Sequence, residues 1–341
     1  MHKKRTYIFA SFLLLSGILG YHYYQKIFGK AITKETIIFV HSYDTLLDIK
    51  NKISEFSSKN DAFLMVAGKK DFSKPRSGRY LLKEGMSNND LVNLLRSGNQ
   101  APIRLSFNNQ DTLEKLAGRV AQQLETDSIS LLSSFTDSTF LSKNNLTEAS
   151  VLQIFIPNSY EFYWNTSPKK FRDKMLKEYN LFWNSSRSKK AVALNLSKSE
   201  IITLASIVQK ETAKAIERPI VAGLYLNRLK KGWPLQADPT IIYCIRNNKG
   251  QDFVVKRVLT ADLEIKSPYN TYKNKGLPPT LISMPDISAI DGVLNAQKHS
   301  YFYMCANIDK LGYHTFARSL TQHNRNAAKY HKWLNKQRIN R

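Results

Sequence analysis

Apolar positions recur along this chain in three rhythms, and each predicts a different kind of element. Residues 7–24 form an uncharged stretch of eighteen residues, apolar all round, which as helix would reach about 27 Å against a hydrocarbon core of about 30 Å. Thr36–Val40 is a short β-branched run that predicts a strand. Within 42–56, Leu46, Leu47, Ile49 and Ile53 then fall at helical spacings after a Ser/Asp start. Ser77, Gly78 and Arg79 turn into a strand at 80–82. Gly85 leads to Ser87-x-x-Asp90, which opens a helix through Leu91, Val92, Leu94 and Leu95 that Gly98 stops. Residues 35–100 therefore read as a small α+β module, either a spacer or a carbohydrate- or wall-binding unit. Ile103–Phe107 predicts a strand and 112–124 an amphipathic helix, while 126–146 has the composition of a helical connector with loops.

The 3.6-residue period is plainest after Ser197-Lys-Ser-Glu200, a capping-box pattern followed by Ile201, Leu204, Ala205, Ile207 and Val208. Glu211 falls seven residues after Leu204 and three after Val208, so its carboxyl belongs to the apolar stripe, whereas Lys210 and Lys214 point elsewhere. Lifting a glutamate from about 4.3 to about 6.5 takes roughly 3 kcal/mol of differential destabilisation, which partial burial supplies. A neutral Glu211 can donate a proton. The competing role is to cap the helix end or to pair with Arg218. Arg218-Pro219 fits the opening of a second helix over 220–231, with Gly223 permitting close helix approach and Gly232 as its stop. The polar loop 234–240 that follows reads equally as a substrate wall or as a Gln/Asp turn.

Composition narrows the class. At 341 residues the chain predicts about two domains, and 42% hydrophobic with 11% aromatic residues excludes a wholly disordered chain. The formal net charge of +24 predicts attraction to polyanions or anionic surfaces without saying which. On charge alone, a membrane-tethered binding factor for wall polymer or nucleic acid competes with any enzyme. Cys244 and Cys305 lack C-x-x-C spacing and read as two separate thiols. The seven histidines offer no H-E-x-x-H, so no metal or other cofactor is expected. His2, Lys3, Lys4 and Arg5 precede the apolar stretch, and Tyr21, His22, Tyr23 and Tyr24 occupy the place where signal cleavage wants small residues. We therefore read 7–24 as a retained transmembrane helix with 1–6 as a cytoplasmic stub, although Lys26, Lys30 and Lys34 dilute the charge asymmetry. From Arg325 onward Lys329, Lys332, Lys336, Arg338 and Arg341 appear with no acid, which predicts a solvated basic terminal helix.

Motifs along 200–325 carry a more specific signal. The run Leu204-Ala-Ser-Ile-Val-Gln-Lys-Glu211-Thr is followed by Glu217-Arg218-Pro, then by Val221-Ala-Gly223-Leu-Tyr-Leu-Asn227-Arg228-Leu and Leu235-Gln236-Ala-Asp238-Pro239-Thr-Ile-Ile-Tyr243. Ser267-Pro-Tyr269-Asn270-Thr271-Tyr272, Gly276-Leu-Pro278-Pro279, His314-Thr-Phe316 and His323-Asn324 come after, in that order. This series resembles the endolytic murein transglycosylases, the YceG-like or MltG family. The resemblance implies an α+β ectodomain on one N-terminal membrane helix. A LysM-like module would occupy 35–100, a connector 101–150 and a helix-rich mixed catalytic domain 151–335. It also implies a cytoplasmic-membrane location with the catalytic domain outside, peptidoglycan glycan strands as substrate, and wall-synthesis enzymes as partners, with no nucleic acid. Oligomeric state and strand-length preference are not legible.

The same resemblance assigns Glu211 as the acid of a lytic cut between N-acetylmuramic acid and N-acetylglucosamine, leaving a 1,6-anhydro end, in a protein that trims or terminates nascent strands. Gln236, Asp238, Asn270 and Tyr272 sit inside matching motifs and are expected to orient the sugar around Glu211. For Asp238 and Asn270 a turn-closing role is the stronger alternative. Tyr269 and Tyr272 offer faces for sugar stacking or for core filling, and His314 and His323 are expected as structural or substrate-lining residues. Two positions depart from the family pattern. Asn158 stands where the family has an aspartate, with Glu161 three residues on, and Gln322 stands where a glutamate is common.

Overall fold

The computed structural model describes residues 2–336, so Arg338 and Arg341 of the basic terminus lie outside the described residues. The fold is mixed α+β, rich in helix, with small two-stranded sheets. It divides into two compact units. One takes the chain to Leu105 together with Val120–Asp127 and Ser159–Ser167; the other takes Ser106–Arg119, Ser128–Asn158 and the chain from Pro168 onward.

The first unit begins with α1 (His2–Phe28), whose side chains from Tyr7 through Leu19 stand in solvent. No single helix among the described residues is long and apolar enough to cross a membrane. After it come β1 (Thr36–Val40), α2 (Leu46–Ile53), α3 (Ala62–Lys69), β2 (Gly78–Leu82) and α4 (Asn88–Ser97). β1 and β2 pair antiparallel, Thr36 opposite Leu82 and Val40 opposite Gly78. Alternation along β2 sends Tyr80 and Leu82 into a core with Val40, Ile49, Ile53, Phe63 and Leu91. Thr45 with Asp48 and Ser87 with Asp90 form reciprocal capping boxes at the starts of α2 and α4. Gly98 ends α4 in the left-handed conformation at φ 71°. The predicted helix over 42–56 is thus shorter, closing in a 3₁₀ turn at Ser54–Phe56.

The chain continues through β3 (Ile103–Phe107), α5 (Leu113–Ala121), α6 (Ser128–Phe135), α7 (Ser138–Lys143) and β4 (Asn158–Phe162), with β3 and β4 paired. The Ser/Thr-rich connector therefore contains two short helices, and Asn158 and Glu161 lie on a strand.

The second unit is organised by α8 (Pro168–Phe182), α9 (Ser185–Ala193), α10 (Lys198–Glu211), α11 (Arg218–Lys230), α12 (Asp238–Lys249), α13 (Ile287–Leu294), β5 (Tyr303–Ala306), β6 (His314–Ala317) and α14 (Leu320–Lys336). α10 is the central helix. Ile201 through Val208 are buried on every face, and α9, α11, α12 and α13 pack around it. Its N-terminus carries the predicted capping box of Ser197 and Glu200. α11 starts with Pro219 in its first turn, where a missing N–H costs nothing, and stops at Gly232 with φ 65°. β5 and β6 form an antiparallel hairpin, Tyr303 opposite Ala317.

Two readings of this region are corrected. Gly223 does not admit another helix: a Cβ there would come 2.2 Å from the Gln297 carbonyl oxygen, so the close partner is an irregular segment. The segment 234–240 is only partly loop, because Asp238 and Pro239 open α12.

Candidate active site

Glu211 ends α10, the last residue before Thr212 turns into extended backbone at φ −135° and ψ 129°. The helix that buries eight consecutive residues thereby carries this carboxyl to the edge of the core. Its Oε2 is shut off from solvent and has no hydrogen-bond partner. Burial disfavours the anion and pushes the pKa to about 7. The charge of His314 pulls in the opposite direction, Asp238 adds to the rise, and the Tyr225 hydroxyl and the Arg228 guanidinium favour the anion. Arg218 is not its partner. That guanidinium binds both carboxylate oxygens of Asp286, at 2.7 and 2.9 Å, so the alternative pairing falls away.

Each neighbour is fixed by a separate device. Tyr225 and Arg228 lie three residues apart on α11 and so share a face. Tyr225 is 1% exposed, and burial holds its hydroxyl well above the usual phenol range, keeping it a neutral donor. Arg228 donates to the carbonyls of Phe302 at 2.8 Å and Leu235 at 2.5 Å, which ties α11 to the start of β5 and to the loop before α12.

His314 opens β6. Glu217, 3% exposed, accepts from the His314 backbone N–H at 2.7 Å, meets its Nδ1 at 2.9 Å, and accepts from the Thr212 hydroxyl at 2.9 Å. The same oxygen, Glu217 Oε2, meets both the Thr212 hydroxyl and the imidazole. One acid thus clamps the end of α10 to the imidazole beside Glu211. His323 stacks on Tyr303 with ring centroids 5.4 Å apart, and burial with the nearby Arg228 lowers its pKa. Gln322 lies in the first turn of α14, where its Oε1 accepts from the Arg318 N–H at 3.2 Å.

The loop before α12 is stitched to 270–275. Gln236 N–H donates to the Thr271 carbonyl and Ala237 N–H to the Thr271 hydroxyl, both at 3.0 Å. These bonds hold Gln236 at φ 49° with its side chain exposed and set Asp238 at the first turn of α12. The Tyr272 hydroxyl donates to Asp238 Oδ1 at 2.5 Å. Burial and that carboxylate raise the Tyr272 pKa.

Of the expected site residues, Glu211, Asp238, Tyr272 and His314 form one electrostatically coupled group. Gln236 is exposed, held by its backbone bond to Thr271. Asn270 does not join it: fully buried, it donates to the carbonyls of Leu263 and Ile265 and accepts from Tyr272 N–H, which organises the loop and leaves no side-chain atom toward a ligand. Tyr269 turns aside as well, bonding Thr280 at 2.6 Å and lying on Tyr243 with centroids 4.7 Å apart. Tyr225, Arg228 and Glu217 belong to the site and were not singled out from sequence. The i, i+3 pair of Tyr and Arg on one helix was the available signal, whereas the clamp by Glu217 joins residues 97 positions apart and left none. Cys244 and Cys305 are both free thiols.

The YceG-like family matches residues 38–329. The chain is similar to the endolytic murein transglycosylase of Streptococcus pneumoniae strain R6, 29% identical over 299 residues that cover 79% of this chain and 53% of the relative. It is also similar to that of Bacillus subtilis strain 168, 28% identical over 303 residues that cover 82% of this chain and 81% of the relative. The chain spans about half the length of the pneumococcal relatives. A crystal structure of a yceG-like protein from Listeria monocytogenes shares the fold, with a TM-score of 0.57 at 24% identity, covering 86% of this chain and 98% of that one.

Proposed function

This chain belongs to the YceG-like family, and from that membership we propose that it is an endolytic murein transglycosylase with Glu211 as its general acid and base. The observation that carries the reading is the shielded, unpartnered Oε2 of Glu211 in a carboxyl pushed to about 7, which holds a transferable proton near neutrality. In the first step that proton passes to the glycosidic oxygen leaving the muramic acid, and positive charge develops at the anomeric carbon. The carboxylate so formed takes the proton of the muramic acid 6-hydroxyl as that oxygen closes on the anomeric carbon. The products are a 1,6-anhydro end and a free 4-hydroxyl, and Glu211 is again protonated. An intramolecular nucleophile needs no positioned water and gains from its high effective concentration.

Asp238 supports a second outcome. It is the carboxylate coupled to Glu211, and a two-carboxylate hydrolase would use it to activate water. Its bond from Tyr272 favours a positioning role beside the sugar instead. Product analysis separates the two, since mass spectrometry of digested uncrosslinked strands shows anhydro ends for the lytic route and reducing ends for hydrolysis. Glu211→Gln is expected to fold, bind and fail to cut; cutting at the wild-type rate refutes the assignment.

The exposed apolar side chains of α1 support a further part of the reading, that this helix sits in the cytoplasmic membrane with its N-terminus inside and the rest of the chain outside. The strand-helix-helix-strand module after it would then face wall polymer as a LysM-like unit, and the site would meet nascent strands beside their synthases and trim them. Carboxyl-terminal reporters active in only one compartment test the orientation, which fails if only the cytoplasmic reporter works.

A further inference from the structure

A pocket of about 190 Å³ opens in the second unit, lined by Asp111, Lys210, Pro239, Tyr243, Arg246 and Ile282 among others. Two of these are chain neighbours of site residues on different helices: Lys210 precedes Glu211, and Pro239 follows Asp238. The pocket therefore lies between α10 and α12, the packed helices that carry Glu211 and Asp238.

Its lining is matched to a particular chemistry. Two cations face one acid. Lys210 Nζ lies 2.7 Å from Asp111 Oδ1, while Arg246 Nη1 is 3.5 Å from Oδ2 of the same carboxylate. The other contact of the guanidinium is also long, Nε to the Phe253 carbonyl at 3.4 Å. A group with five N–H donors in a fixed fork is thus held loosely, and the pocket keeps a net positive charge. The rest of the lining is largely apolar, Pro239, Ile242 and Ile282 with the Tyr243 ring, which Tyr269 backs.

We propose that this pocket is a subsite for a carboxylate carried on a short apolar group, supplied by the peptide stem of the strand that Glu211 cuts. The inference rests on the transglycosylase reading and names what that site recognises beside the glycan. Arg246 binds the carboxylate, the apolar lining takes the small side chain, and Asp111 keeps Lys210 in place. A muramic acid without its stem exposes a lactyl carboxylate of the same chemistry, so the two sources need separating.

The test is a binding measurement on the full-length Glu211→Gln protein in detergent micelles. Calorimetry compares uncrosslinked strands that bear stems, that bear stems with amidated carboxyls, and that have had their stems removed. Stem-bearing strands are expected to bind roughly tenfold tighter than amidated ones. Arg246→Gln should abolish that difference while leaving the affinity for amidated strands unchanged. Tightest binding of stem-free strands, lost with Arg246→Gln, would keep the carboxylate subsite and assign it to the lactyl group. Equal binding of all three strands, or a difference that survives Arg246→Gln, overturns the proposal. If Glu211→Gln still cuts while the carboxylate dependence persists, the chemistry assigned to Glu211 fails and the subsite stands.

Discussion

A carboxyl that must stay protonated near neutrality works against the stability of the protein that holds it. Glu211 binds its proton more tightly folded than unfolded, so below pH 4.5 it is neutral in both states and contributes nothing. As pH rises from 4.5 to about 7 the unfolded chain loses the proton first and gains stability relative to the fold. That interval is worth about 3 kcal/mol. Glu211→Gln should therefore melt higher than wild type at pH 8, with the difference closing toward pH 4.5. Denaturation followed across that range checks it, and an equal or lower melting point at pH 8 would contradict the buried neutral acid. His314 enters with the opposite sign. It pulls the Glu211 pKa down, so His314→Gln should move the alkaline limb of kcat/KM upward from about 7. The same change strips a partner from buried Glu217 and should cost about 1–3 kcal/mol of stability. Measuring kcat/KM against pH beside the unfolding free energy separates the two effects.

Helices and loops bring these residues together by close packing, and the tightest place is Gly223 on α11. A methyl group there would meet a backbone carbonyl at 2.2 Å and the His299 Nε2 at 2.8 Å. His299 Nε2 also lies 2.9 Å from the Ile220 carbonyl oxygen, so neither neighbour gives way cheaply. Gly223→Ala is expected to destabilise by about 1–3 kcal/mol and, by shifting α11, to lower kcat through Tyr225 and Arg228. Chemical denaturation with a kcat measurement checks both. Elements of this kind were legible where local rules decide them: the Ser87 and Ser197 caps, the Gly98 and Gly232 stops, and the strands Thr36–Val40 and Ile103–Phe107 stand where periodicity and capping place them. α12 escaped because Asp-Pro-Thr opens a turn and a helix equally well, and only its bonds to Thr271 decide between them. For the site the division is the same. Glu211 was visible because its register on one helix places it among apolar residues, whereas Glu217 with His314 and Asp238 with Tyr272 meet across 97 and 34 positions, which no local period encodes.

Across the whole molecule the +24 charge is spread along the sequence, well beyond the few cations near the site. Such a charge attracts an anionic polymer from a distance, speeding encounter and raising its local concentration, and salt screens it over about 8 Å at physiological ionic strength. The interactions proposed at Glu211 are short and partly buried, so salt reaches them less. KM for stem-bearing strands should therefore climb as salt is raised from about 0.05 to 0.5 M while kcat holds. The slope reflects the charge of the ligand as well as that of the protein, so strands with amidated stems should give a shallower rise. A binding factor whose charge were its whole function would show the same salt sensitivity with no turnover to measure. Steady-state kinetics on the two strand types distinguish the cases, and a fall in kcat at constant KM would mean that the long-range field acts on the bond-breaking step and not on the approach of substrate.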